Sequence, residues 1–164
     1  DGFALWAYGL SIPESTESVD TFRQDMARAL SRLHSDRLPF DFASAAHLIL
    51  NETEASQNHM DQGIARDCLT ASHASDAANC EAWYLAMADT ELPRALNKVK
   101  EALELDPHRP DYLDTLAVVH WRMGNLQAAE TAAVEAVRLS PSDTYHLWQL
   151  DRIRVMRSSS RSTP

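Results

Sequence analysis

Glycine is scarce in this chain, with four among 164 residues. With so few, and with almost no alternation of β-branched and polar residues, sheets joined by many tight turns are excluded. No apolar run approaches the length needed to span a bilayer, so direct membrane insertion is not expected. Lysine occurs only at Lys98 and Lys100, and the net charge is −9. An acidic surface disfavours nonspecific binding to nucleic acid. The one basic cluster, Arg152, Arg154, Arg157 and Arg161, reads as a solvated last helix and tail. Motifs that carry chemistry are missing as well. No two glycines share a GxGxxG or GxxxxGK window, no serine sits in GxSxG, and the seven histidines show no HExxH spacing. No catalytic residue and no cofactor are expected, and the chain does not read as an enzyme. It starts at Asp1 rather than Met, which suggests a signal peptide, an anchor or another domain upstream.

What is present is helix-forming sequence with a period. The stretch from Pro107 to Pro141 holds two apolar-periodic runs joined at Met123-Gly124-Asn125, and its bounding prolines are 34 residues apart. Leu92 returns at that offset as Leu126, Ala95 as Ala129, Ala102 as Ala136, Leu103 as Val137 and Leu105 as Leu139. Past Pro141 the pattern begins again, with Leu113 matched by Leu147, Leu116 by Leu150 and Val119 by Ile153. A fixed period of this size marks a stacked repeat architecture.

Upstream, the apolar residues of 1–12 are expected to lie on the body, and a helix is expected over Ser18–His34 with Val19, Phe22, Met26, Leu30 and Leu33 on one stripe. A second helix is capped by Asp41 and ends near Glu54, and a third runs from about Gln57 to Ser72. A fourth begins near Ser75 or Asp76 and ends near Asp89-Thr90, and Pro93 sits in the first turn of a fifth. If Trp83 plays the part of Leu113, the first repeat is four residues short between its helices. The last helix spans Thr144 to about Met156. The tail from Arg157 has no apolar residue and is expected to be disordered.

The spacing and residue types resemble the tetratricopeptide repeat (TPR), a helix–turn–helix unit. Leu113, Leu116, Ala117, Gly124, Ala129, Ala136 and Pro141 stand where that family has its large, small and turn residues. His120 and Ala133 stand where it usually has aromatics. The expected fold is therefore all-α, with antiparallel helix pairs stacked as a short TPR-like α-solenoid behind an N-terminal helical part. The division is an N-terminal helical region at 1–74, repeats with a capping helix at 75–157, and the tail at 158–164. The resemblance implies a concave groove lined by the first helices of successive units. Here that means Asp111, Asp114, Val118, Trp121 and Arg122, then Tyr145, Trp148 and Arg152. The Lys and Asn set with which some family members clamp a terminal carboxylate is missing from these positions.

Cys68 and Cys80 fall on the two sides of a helical hairpin turning at 72–76, where equal index sums place residues face to face. Small neighbours at Ala71, Ala77 and Ala78 allow the close approach that a disulfide needs. Two buried, reduced thiols are the alternative. Cys68, His73 and Cys80 match no closed zinc spacing and lack a fourth ligand, so no metal is expected. Asn51-Glu52-Thr53 fits a glycosylation sequon.

The function expected is protein–protein interaction or scaffolding, with a peptide or helix of a partner held in the groove, in a bacterial envelope complex. The cysteine seam and the missing initiator Met favour a periplasmic or extracytoplasmic setting. Two alternatives stand beside it: an accessory or regulatory domain of a larger enzyme or membrane protein, and a repeat that self-associates as a homo-oligomer.

Overall fold

A computed structural model describes residues 40–161 together with Gln24. The expectations for the first 39 residues lie outside the described residues, Gln24 apart, which is helical. The described residues are helical with no strand among them. The helices are α1 (Phe40–Ile49), α2 (Thr53–Gly63), α3 (Ala74–Met87), α4 (Leu92–Leu105), α5 (Pro110–Arg122), α6 (Leu126–Leu139) and α7 (Thr144–Arg161). A wide π turn, Ile64–Cys68, continues α2 without a break.

Each helix packs on its chain neighbour. The pairing is closest within α1–α2, α3–α4 and α5–α6, and α7 lies against α6. The α6–α7 contacts run in opposite directions along the chain. Arg154 Nε donates to Glu130 at 3.1 Å, while Arg157 reaches back to Gln127 at 2.6 Å.

Helix boundaries follow local chemistry. Asn51 takes φ 61, a left-handed conformation that asparagine tolerates better than most residues. That turn stops α1 at Ile49, short of Glu54, and α2 begins at Thr53 rather than at Gln57. Asp41 lies inside the first turn of α1 instead of capping it. Pro110 opens α5, and Pro93 is the second residue of α4, positions where the missing N–H has no helical partner to lose. Gly124 adopts φ 76 between α5 and α6. The turn between α3 and α4 reaches the same region with Asp89 at φ 50 and Glu91 at φ 44.

That turn corrects the expectation of a shortened first repeat. Residues 88–91 connect α3 to α4, whereas 123–125 connect α5 to α6. The first unit thus has one residue more between its helices, not four fewer. Ala82 and Ala117, both fully buried, correspond more closely than Trp83 and Leu113 do. At the other end α7 runs on through Arg161, beyond Met156 and into the segment expected to be disordered.

The core is made largely of small residues. Ala95, Val99 and Ala102 of α4, Ala117 and Val119 of α5, and Ala129 and Ala136 of α6 have no exposed surface. Alanine at these crossings lets helix axes come close and leaves packing to the backbone surfaces. Larger side chains fill the front of the stack, where Leu85 and Met87 of α3 and Met60 of α2 are buried. Gly63 is required by one close approach: a Cβ there would overlap the ring of Tyr84. The Tyr84 hydroxyl donates to Asp67 at 2.6 Å, just past the glycine.

Candidate functional site

The eight residues expected in a groove come from α5 and α7, and the structure divides them. Trp121, Trp148 and Arg152 line one crevice together with Gln149, Ile153 and Met156. Both indoles are half-buried, so neither is a pure core residue nor a free surface one. Trp121 packs on the Ala117–Ala129 cluster, and Trp148 on the cluster containing Leu85, Val118 and Val119. Tyr145 stands one turn before Trp148, its ring 5.9 Å away and tilted by 31°. The Arg122 guanidinium lies 5.6 Å from the centre of the Trp121 ring, a cation–π geometry. The crevice is narrow and admits no water molecule.

Val118 and Asp114 do not line an open groove. Val118 has no exposed surface, and Asp114 is 4% exposed. Helix α5 packs against α3 as well as α4 and α6, and α7 closes over the Asp114 side. A helix enclosed on several sides keeps little of its inner stripe in solvent. Asp111, one turn earlier, remains exposed.

Burial changes the chemistry of Asp114. Loss of solvent is the main cause that pushes its carboxyl up to about 8, and the charges of Asp111 and Asp143 add to it. The Tyr145 hydroxyl and the Gln149 amide oppose this rise only in part. Asp114 therefore carries its proton at neutral pH, which removes the need for a buried counter-ion. His146, 3% exposed, sits between two carboxylates, 3.7 Å from Asp111 and 3.8 Å from Asp143. Its Nδ1 has no hydrogen-bond partner. Asp143 also serves the backbone, accepting from the Tyr145 N–H at 2.9 Å at the start of α7.

His146 and Gln149 were not among the expected site residues. A signal for them was present in the period, since they stand 34 residues after Tyr112 and Thr115. All four are buried. Tyr112 reaches across to Asp76 of α3 as His146 reaches across to Asp111 of α5, and the polar identity of the residues concealed the correspondence.

Arg122 is the other desolvated charge. Burial lowers its basicity and the charge of Asp89 partly offsets this, while its buried Nε has no hydrogen-bond partner. Arg152 is half-buried on the crevice wall. Arg154 and Arg157, expected as purely solvated charges, instead meet Glu130. His120 is half-buried in the α5 seam, its basicity lowered by burial and by Lys100. Its Nδ1 has no hydrogen-bond partner.

Cys68 and Cys80 form a disulfide with Cα atoms 5.3 Å apart, joining the π turn to α3. His73 is exposed at the start of α3. Among the described residues no group of three or more His, Cys, Asp or Glu is arranged to hold a metal ion. No helix among them is long and apolar enough to cross a membrane. Asn51 of the sequon is exposed in the α1–α2 turn. Comparison with known proteins finds no matching family model, no matching curated protein and no matching solved structure, so the functional reading rests on the geometry and sequence pattern alone.

Proposed function

We propose that this chain is a TPR-like protein-interaction module without catalytic activity, and that it holds a peptide or helix of a partner across α5 and α7. The observation that carries the reading is the shared crevice of Trp121 and Trp148. Two half-buried indoles on adjacent helices offer flat apolar contact at low entropic cost, and aromatic anchors beside arginines are the usual source of interface energy. The repeat offset of 34 residues and the three packed helix pairs support the solenoid. The disulfide fits an oxidising compartment.

A library of random peptides displayed on phage, panned on the folded protein, tests this. Selected sequences, remade as synthetic peptides, should bind the native chain. They should lose about tenfold or more in affinity to Trp121→Ala and Trp148→Ala. Leu147→Ala, at an exposed position of α7, should leave binding unchanged. Selected peptides that bind all three variants equally would place the binding surface elsewhere.

A further inference from the structure

Most arginines whose side chains are described are matched to a carboxylate. Arg66, Arg94, Arg109, Arg138, Arg154 and Arg157 each form an ion pair with an aspartate or glutamate. Among the arginines whose side chains are described, Arg122 and Arg152 alone form none, although the chain carries a net charge of −9. Acidic partners are abundant on this surface, so two unmatched guanidinium groups on one face are a local departure from the rest of the molecule.

Arg152 lines the indole crevice, and Arg122 adjoins it through Trp121. Arg122 lies over the Trp121 ring, and Arg152 shares the crevice wall with Trp121 and Trp148. A cation withdrawn from water with only a partial counter-charge, as Asp89 gives Arg122, is under-compensated, and an arriving carboxylate relieves that penalty while gaining the forked geometry of guanidinium. Because the crevice is too tight to take in a side chain, the occupant lies across it on the exposed edges of the indoles.

We propose that the α5–α7 crevice binds an acidic segment of a partner protein, whose carboxylates meet Arg122 and Arg152 and whose apolar side chains rest on Trp121 and Trp148. This rests on the groove reading above and adds the chemistry of the occupant. A polyanion such as nucleic acid fits less well. Asp89 lies near Arg122, Asp111 is exposed at the start of the same helix, and the whole molecule is acidic, so an unbroken line of phosphates would be repelled. A segment with a few carboxylates among apolar residues meets the two cations and avoids most of that repulsion.

Three twelve-residue peptides serve as probes, with leucine and tyrosine alternating with glutamate, glutamine or lysine. Fluorescence anisotropy at low salt reads their binding, with a twelve-nucleotide oligothymidylate as a fourth probe. The glutamate peptide should bind about tenfold tighter than the glutamine peptide, and the lysine peptide should bind weakest. Arg122→Gln and Arg152→Gln should each remove much of that preference, while Arg152→Lys should keep part of it. Added salt should narrow the gap between glutamate and glutamine peptides. Circular dichroism checks that each variant is folded, and Arg122→Lys replaces Arg122→Gln if the latter is not. Equal binding of the glutamate and glutamine peptides, with both weakened by Trp148→Ala, would leave the groove standing and overturn its acidic preference. Tighter binding of the lysine peptide, or of the oligothymidylate, would also overturn it. No binding by any probe would count against the groove and the inference together.

Discussion

The two ends of this helical stack are held together differently. At the front, α2 reads TEASQNHMDQG and contributes Met60 as its only large buried apolar side chain. Its contacts are polar and covalent. Ser44 donates to the Ser56 carbonyl at 3.0 Å, His47 meets Glu52 at 2.5 Å and stacks on His59, and the disulfide ties Cys68 to α3. At the back, α5 and α6 meet through Ala117, Ala129, Ala132 and Ala133, with no cross-link. Alanines in register let backbones pack closely over a long seam, whereas a helix of polar residues has too little apolar surface to do so. The front therefore adds specific bonds to its apolar packing, whereas the back relies on area. The back has an exception where α5 meets α7, the Asp114 carboxyl buried with His146 and Gln149.

That exception should produce the largest effect. Asp114 titrates near 3.8 in the unfolded chain and at about 8 in the folded one. The folded state binds the extra proton across that window, so stability falls as pH rises from about 4 to about 8 and levels off above it. The loss contributed by this group is on the order of several kcal/mol at most, since each tenfold change in proton affinity corresponds to about 1.4 kcal/mol. Asp114→Asn should flatten the decline and be more stable than the native chain at pH 9. Urea titrations at pH 5, 7 and 9 check this. A native chain as stable at pH 9 as at pH 5, in parallel with the variant, would show Asp114 ionised or solvated in the folded state.

Breaking the front staple comes next. The disulfide closes a loop between residues 12 apart in sequence, and chain entropy assigns about 3 kcal/mol to a loop of this length. Cys68→Ser with Cys80→Ser should lower the melting temperature and, in hydrogen exchange, expose α2 and the π turn before α5 and α6. Uniform loss of protection along the chain would mean that the two ends do not differ in this way.

The smallest change sharpens the contrast from the other side. Ala129 has no exposed surface, and Ala129→Leu forces extra volume into the α5–α6 seam. It should cost about 1–3 kcal/mol by overpacking, read as a lower urea midpoint with unchanged slope. The crevice should feel it too, because Trp121 packs on the same cluster. A variant that melts with the native chain would mean the seam has room to spare.

Sequence alone determined that the described residues are helical, the helix pair that turns at Gly124 and the alanines that make the back seam. The reason is local: a 34-residue period, prolines at helix starts and Gly124 at the tight turn act over a few residues and do not need the rest of the fold. The nearness of Cys68 and Cys80 followed from the turn between them by the same kind of reasoning. Tertiary structure decided which of the eight groove candidates reach solvent. Asp114 and Val118 share a helix face with Trp121 and Arg122, yet enclosure by neighbouring helices takes the first two into the core and leaves the others at its edge. It decided the wide turn Ile64–Cys68, which the disulfide ties to α3. It also decided charge. The sequence shows thirteen arginines without saying which are paired, because an ion pair depends on which carboxylate the fold brings alongside. Arg122 and Arg152 stand out only once the others are seen in contact with theirs.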